Sequence, residues 1–119
     1  MPKNLTAHVG LDLWRRALVT SVASDGPDLT ARQMALLLSV YLTQPPHTVR
    51  GLAAALNVSK PAITRAIDRL SELDFLRRKP DETDRRSIHL QRTIRGSVFL
   101  RDFGEQIVRA GKSVEDTPA

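Results

Sequence analysis

Residues 57 to 70 read NVSKPAITRAIDRL, and their spacing is that of a helix with two unlike faces. Ser59 is a natural N-cap, and Pro61 falls in the first turn, where its missing N–H is not needed. The opposite face carries hydroxyl and basic side chains. This helix is therefore predicted to dock on a core by one face and to present the other to a partner. Its apolar residues recur every three or four positions: Ile63, Ala66, Ile67 and Leu70.

Three helices are predicted upstream of this stretch. The segment 11–23 has the 3.6-residue period of an amphipathic helix. Thr30 and Gln33 form a capping-box pattern for a second helix, which runs to about residue 43. Thr48 caps a short third helix, and only a tight turn separates that helix from the stretch quoted above. The second helix is expected to bury Met34, Leu37, Leu38, Tyr41 and Leu42.

The pattern changes after about residue 73. FLRRK and SIHLQR alternate as strands do, and the polar segment KPDETDRR, residues 79–86, joins them as a hairpin loop. Thr93 then caps a last helix of about eighteen residues. A short helix, a turn, a second helix and a hairpin is the order of a winged helix-turn-helix. The predicted fold class is mainly α with a small β-hairpin wing, flanked by terminal helices.

Composition and length indicate one small globular domain. We expect a flexible arm over residues 1–9, a single winged helix-turn-helix domain over 10–111, and a disordered tail over 112–119. The 119 residues include no cysteine and three scattered histidines, so no metal site and no cofactor is predicted. The N-terminus lacks the apolar core of a signal peptide, and no apolar run approaches the length of a membrane span. The predicted location is cytoplasmic, in association with the nucleoid.

Positive charge is concentrated in one part of the chain. The net charge is +5, and ten of the eighteen basic residues lie between residues 60 and 95. The same window holds six acids, so its net charge is +4. Clustered basic charge suits a polyanion such as nucleic acid.

The predicted helix pair indicates double-stranded DNA as that polyanion. In such pairs the second helix, here residues 59–73, enters the major groove. Arg65 can bond guanine bidentately or grip a phosphate, and the methyl and hydroxyl of Thr64 suit thymine and phosphate. Lys60 and the free amides of the first turn suit a phosphate oxygen. The candidate DNA-binding residues of this helix are Ser59, Lys60, Pro61, Thr64, Arg65 and Arg69.

Four segments resemble the MarR family of bacterial transcription regulators, across about residues 29–104: LTARQMALL, TVRGLAAALNVSKPAITRAIDRLSELDFLRR, DETDRRS and TIRG. The most specific match is an Asp-x-Arg in the wing followed by Thr-x-x-Gly, here Asp84, Arg86, Thr93 and Gly96. The resemblance implies that Arg86 reaches into the minor groove and that Asp84 pairs with it and fixes its aim. Arg85 would be a second cation at the tip of the wing.

The chain departs from the family pattern at two positions. Asp74 stands where the family usually has a glycine, so the exit from the second helix of the pair is expected to be tighter or differently shaped. Arg92 stands where an apolar residue usually precedes Thr-x-x-Gly, which makes it a candidate for an extra phosphate contact.

The terminal helices carry apolar residues that a domain of this size cannot bury completely, which predicts a partner surface. We expect a homodimer on a pseudo-palindromic site, because two half-sites double the sequence that is read. The family also dimerises through terminal helices. The candidate dimer-interface residues are Leu13, Trp14, Ala17, Leu18, Phe99, Phe103 and Ile107.

Two alternatives remain open at this point. The basic face could meet a protein or an RNA, or a small-molecule effector could release DNA from a sensor repressor. An enzyme is not indicated, because no histidine or cysteine stands near a plausible catalytic partner and the carboxylates lie on predicted turns and exposed faces. The sequence also has no glycine-rich phosphate loop.

Overall fold

The computed structural model describes residues 5–84 and 86–116, and it has the predicted fold class. β1 and β2 pair in antiparallel register, with Leu76 opposite Arg92 and Pro80 opposite Ile88. The elements, in chain order, are α1 (Ala7–Ala23), α2 (Ala31–Leu42), α3 (Val49–Leu56), α4 (Lys60–Glu72), β1 (Leu76–Pro80), β2 (Ile88–Arg92) and α5 (Ile94–Asp116). The chain divides into two compact units. One is residues 29–99, and the other is α1 with α5 from Leu100 onward.

The helix starts predicted from single hydroxyl residues are all present. The Thr30 hydroxyl accepts from the Gln33 N–H at 3.1 Å, and the Gln33 side chain accepts from the Thr30 N–H at 2.9 Å. Thr48 caps α3 through the Gly51 N–H at 3.0 Å. Thr93 caps α5 through the Gly96 N–H at 2.9 Å. Each cap satisfies an amide that the helix itself leaves without a partner.

The core of the 29–99 unit is aliphatic and is built on α2 and α4. Burial of one such side chain contributes about 1.5–3 kcal/mol. The expectation that Leu42 is buried was wrong: it is the last residue of α2 and is 76% exposed. The buried side of α2 is rotated relative to the predicted one. The largest fully buried side chains are Leu36, Leu37, Val40, Ile63, Ile67, Leu70 and Leu76.

The structure also moves both predicted ends of the domain. The expected arm over residues 1–9 is shorter, because α1 begins at Ala7 with Thr6 as its N-cap. The expected tail over 112–119 is helical as far as Asp116, so α5 has 23 residues instead of about eighteen. The apolar contact made by Val114 helps to explain this extension, since it packs on the α1–α5 cluster.

The unit formed by α1 and the distal part of α5 has a small core of its own. Leu13 and Ala17 of α1 are buried with Ala110 of α5, and Ile107 packs against them. Trp14 and Phe103 meet edge to face, with their ring centroids 6.0 Å apart.

The exit from α4 takes the left-handed turn that glycine usually makes, although Asp74 occupies the position. Its φ is 57°. The Phe75 N–H donates to the Leu70 carbonyl at 2.9 Å, and the Asp74 N–H donates to the Ser71 carbonyl at 3.0 Å. These are the two bonds of a Schellman motif. The expectation of a tighter or different exit is therefore wrong, because aspartate tolerates this backbone conformation better than most residues do.

Candidate nucleic-acid interface

The turn between α3 and α4 places the start of α4 at the surface. Asn57 takes the left-handed conformation with φ 53°, which ends α3. The Ser59 hydroxyl then accepts from the Ala62 N–H at 3.3 Å and starts α4, with Pro61 in the first turn. The chain therefore reverses within three residues, and the first turn of α4 has exposed side chains.

α4 has the two faces that its sequence predicts. The apolar face is buried at every predicted position, together with Ala62. The polar face stays exposed along the whole helix, so its side chains are accessible to a partner. The exposed residues are the N-cap Ser59 and, in α4, Lys60, Pro61, Thr64, Arg65, Asp68, Arg69 and Glu72.

One carboxylate that sequence reasoning overlooked organises the wing loop. Asp81 accepts from the backbone N–H and the hydroxyl of Thr83, both at 2.8 Å, and from the Asp84 N–H at 3.2 Å. Its other oxygen lies 2.8 Å from Nε2 of His89. The His89 contact first, and then the Thr83 donors, hold the pKa of the Asp81 carboxyl well below its usual range. The sequence does carry a pattern typical of such a turn: Pro80 is followed by Asp81 and, two residues later, by Thr83.

Asp84 acts on the wing backbone. Its carboxylate accepts from the Arg86 N–H at 3.0 Å and from the Ser87 hydroxyl at 3.3 Å. The expected pairing of Asp84 with the Arg86 guanidinium is not among the contacts of the described residues. The carboxylate can still aim Arg86, because it constrains the backbone from which that side chain projects. Arg85 lies outside the described residues.

The structure separates the basic residues of the 60–95 window into two groups. Three arginines form ion pairs within the 29–99 unit: Arg69 with Glu72, Arg77 with Asp74, and Arg78 with Asp68. By contrast, the charged groups of a second set have no hydrogen bond or ion pair to any residue that the structure describes. Surface ion pairs contribute little to stability, but the paired side chains are less available to an external anion. The members of the second set are Lys60, Arg65, Lys79, Arg86 and Arg95.

Arg92 belongs to the first group for a different reason. Its Nε donates to the Val40 carbonyl at 2.9 Å and its Nη2 to the Thr43 carbonyl at 3.1 Å. These carbonyls lie at the C-terminal end of α2, where a cation is favoured. The suggestion of an extra phosphate contact is therefore replaced by a structural contact that ties β2 to α2.

The Thr-x-x-Gly match explains how the base of the wing is held. The Tyr41 hydroxyl donates to the Phe75 carbonyl at 2.6 Å and accepts from the Thr93 N–H at 2.8 Å. The Thr93 hydroxyl donates to the Asp74 carbonyl at 2.6 Å. A side chain at Gly96 would overlap both the Tyr41 hydroxyl and the Phe75 carbonyl, so only glycine fits. The motif therefore joins α2, the exit of α4 and the start of α5.

A cleft of about 570 Å³ lies between α3, α4 and the wing. The ion pair between Arg78 of β1 and Asp68 of α4 connects the wing to α4 beside it. Four of the predicted DNA-binding residues meet in this cleft: Lys60, Thr64, Asp84 and Arg86. Ser59, Pro61, Arg65 and Arg69 lie elsewhere on α4. The cleft residues are Thr48, Val49, Arg50, Ala53, Lys60, Ile63, Thr64, Ile67, Arg78, Asp84, Arg86, Ser87 and Ile88.

Sequence reasoning also missed Arg50, which contributes its side chain to this cleft from α3. It falls outside the basic window that the charge count singled out. Its position in the sequence could have identified it: Arg50 lies in the first turn of a predicted helix, where the helix dipole favours an acid over a cation. A cation at such a position does not stabilise its own helix.

The predicted dimer-interface residues differ in burial and are divided between the two units. Leu13, Ala17 and Phe103 are buried within their own unit, and Ile107 is partly buried there. Phe99 belongs to the 29–99 unit and stacks on Phe75 with ring centroids 4.4 Å apart. Trp14 and Leu18 remain exposed, by 42% and 39%. Leu11 and Val22, which were not predicted, are also exposed on α1.

The helix pair followed by a wing defines a winged helix-turn-helix protein. The model of the MarR family matches residues 29–88, just over half of the chain. The chain belongs to the MarR family.

Two curated relatives and one solved structure illustrate the likeness. The HTH-type transcriptional regulator PecS of Dickeya dadantii (strain 3937) is 28% identical over 88 residues, which cover 72% of this chain and 53% of PecS. The transcriptional repressor MprA of Escherichia coli (strain K12) is 36% identical over 62 residues, which cover 50% of this chain and 35% of MprA. The chain thus spans about half, or less, of the length of these relatives.

The solved structure is the crystal structure of the S. aureus MepR–DNA complex. Its TM-score is 0.70 at 19% identity, and the match covers 90% of this chain and 82% of that one. At this identity the likeness shows the fold alone. Within residues 5–84 and 86–116, no helix is both long and apolar enough to cross a bilayer, and no group of three or more metal-ligating side chains occurs.

Proposed function

We propose that this chain is a sequence-specific transcriptional regulator that binds double-stranded DNA in the cytoplasm. The observation that carries the proposal is the cleft, where Lys60, Thr64 and Arg86 converge from α4 and the wing. The polar ends of these side chains have no partner among the described residues, so they are available to a ligand. The names of PecS and MprA, a regulator and a repressor, support the same function.

The proposed docking places α4 in the major groove and the wing in the minor groove. Arg65 is exposed on α4 outside the cleft, which suits a bidentate contact with guanine. Lys60 and Thr64 face the cleft and suit the phosphates between the two grooves. Arg86 at the wing tip suits a narrow A·T-rich minor groove, which concentrates negative potential.

Substitution of Arg65 tests this docking. The probe is a duplex recovered by selection from a random-sequence library, with a scrambled duplex of the same composition beside it. Arg65→Ala should weaken binding to the selected duplex by about 1–3 kcal/mol and leave the scrambled duplex little changed. Arg101→Ala, on the exposed face of α5, is the matched control. Equal losses on both duplexes would make Arg65 a phosphate contact, and no loss on either would remove α4 from the interface.

The salt dependence distinguishes DNA from a protein partner. Affinity for the duplex should fall by about 0.9 logarithmic units per phosphate contact for each tenfold rise in salt. Failure of the selection to enrich any duplex, or binding with a nearly flat salt dependence, would contradict the proposed function.

A homodimer is part of the proposal. One winged helix contacts too few base pairs to distinguish its site from about 10⁶–10⁹ competing genomic sites. A two-fold dimer doubles the number of base pairs that are recognised. Leu11, Trp14, Leu18 and Val22 recur along one side of α1 and are all exposed. An apolar stripe of this kind supports a contact between copies. The site on DNA would then be pseudo-palindromic.

A further inference from the structure

Arg50 lines the cleft beside the residues proposed to bind DNA, yet the fold does not use its charge. Its guanidinium has no hydrogen bond or ion pair with any residue of the described ranges. The N-terminal turn of α3 is already capped by Thr48, which accepts from the Gly51 N–H at 3.0 Å. Arg50 is also exposed, so its side chain does not fill the core.

The position of Arg50 is electrostatically unfavourable for α3 itself. A cation in the first turn of a helix is repelled by the positive end of the helix dipole, and neither α3 nor α4 has an acid there. Lys60 opens α4 in the same way, and both side chains line the one cleft. Among the described residues that line the cleft, the acid is Asp84, and it makes no ion pair with Arg50: its carboxylate accepts from the Arg86 N–H and the Ser87 hydroxyl.

We propose that Arg50 binds a phosphate of the DNA backbone, on the strand that passes between the major-groove helix and the wing. This inference rests on the proposed function and adds a contact from α3. The first helix of a helix-turn-helix crosses the backbone, whereas the second reaches the base edges, so α3 is placed for phosphate and not for bases. A guanidinium binds phosphate oxygens through two parallel N–H donors.

The test compares Arg50→Ala, Arg50→Lys and the control Arg101→Ala on the selected duplex and on its scrambled counterpart. Because phosphates carry no sequence information, Arg50→Ala should weaken binding to both duplexes by a similar factor, about tenfold at low salt. The slope of log affinity against log salt should become shallower by about 0.9. Arg50→Lys should restore the slope, because lysine keeps the point charge. Circular dichroism should show equal helix content in all variants.

Two results would overturn the inference and leave the proposed function intact. The first is Arg50→Ala binding both duplexes as the wild type does, while Arg65→Ala is weakened. The second is a loss confined to the selected duplex with an unchanged salt slope, which would make Arg50 a base contact. Failure of the wild type to enrich any duplex in the selection would instead overturn the proposed function.

Discussion

At Asp74 the backbone adopts a conformation that an aspartate takes only at a cost. The left-handed region brings Cβ close to the following carbonyl oxygen, a penalty of about 1–2 kcal/mol for most residues and less for aspartate. The Asp74 carboxylate recovers little of this cost, since its ion pair with Arg77 is exposed on both sides. The two hydrogen bonds of the Schellman motif join backbone atoms only, so they would also form if glycine replaced Asp74.

Asp74→Gly should therefore raise the free energy of unfolding by up to about 1 kcal/mol, the part of the left-handed penalty that aspartate still carries. Asp74→Ala should lower it, because alanine has a Cβ and lacks the local hydrogen bonding that helps aspartate in this conformation. Urea unfolding of the three proteins gives the order directly. A glycine variant less stable than the wild type would mean that the Asp74–Arg77 contact outweighs the backbone term.

Gly96 and Gly104 both lie in α5, and alanine is expected to have opposite effects on stability at these two positions. A Cβ at Gly96 would overlap the Tyr41 hydroxyl and the Phe75 carbonyl, whereas a Cβ at Gly104 meets no heavy atom within 4 Å. Gly96→Ala should therefore destabilise the protein by about 1–3 kcal/mol through overpacking. Gly104→Ala should stabilise it by about 1 kcal/mol, because alanine is the better helix former. Thermal unfolding of both variants tests the pair, and equal shifts in the same direction would contradict it.

At the scale of elements, two carboxylates hold the wing loop, and Asp81 has more hydrogen-bond partners than Asp84. Asp81 gathers donors from Thr83, Asp84 and His89, which span both sides of the loop. The loop is short and polar, so it has no apolar core of its own to hold its shape. We therefore expect wing order to depend on the ionisation of Asp81.

The pH dependence of the wing follows from the lowered pKa of Asp81. Because the folded-state pKa lies below the ordinary value of 3.8, the carboxylate contributes stability above that value. That stability is lost as pH falls through the folded-state pKa. In the amide resonances of Thr83 and Asp84, the pH-dependent step that is absent from Asp81→Asn should occur only in acid stronger than about pH 4. Asp81→Asn should shift both resonances already at neutral pH. An Asp81-dependent step with a midpoint above 4 would contradict this assignment.

At the scale of the whole molecule, the proposed dimer depends on the exposed stripe of α1. Leu11→Glu and Leu18→Glu place charge on side chains that are 71% and 39% exposed, so the isolated fold should tolerate them. Phe103→Glu is unsuitable, because that ring is buried within its own unit. The matched control is Leu42→Glu, an equally apolar and exposed site in the 29–99 unit.

Sedimentation at micromolar concentration should find a dimer for the wild type and for Leu42→Glu. It should find a folded monomer for Leu11→Glu combined with Leu18→Glu, because burying two carboxylates in an apolar contact is costly. A folded wild-type monomer would contradict the proposed dimer. A dimer that persists in the double variant would contradict the assignment of its interface to α1.

Local features of this protein were predicted well from its sequence. The caps at Thr30, Thr48, Ser59 and Thr93 each join atoms only three residues apart, so a short window holds the whole interaction. The buried face of α4 follows in the same way from its 3.6-residue period. The wing match then completed the order of elements that defines the fold class.

The tertiary structure decided which of the charged groups are available. Arg78 and Arg92 look like any other basic residue of the window, yet one pairs with an acid ten positions away and the other with carbonyls of α2, about fifty positions away. Arg50 lies outside that window, yet it shares a cleft with Lys60 and Arg86. A sequence determines how many charges a chain has and which helix face carries them. Whether a charge is neutralised depends on long-range contacts, which exist only once the helices and the wing have packed.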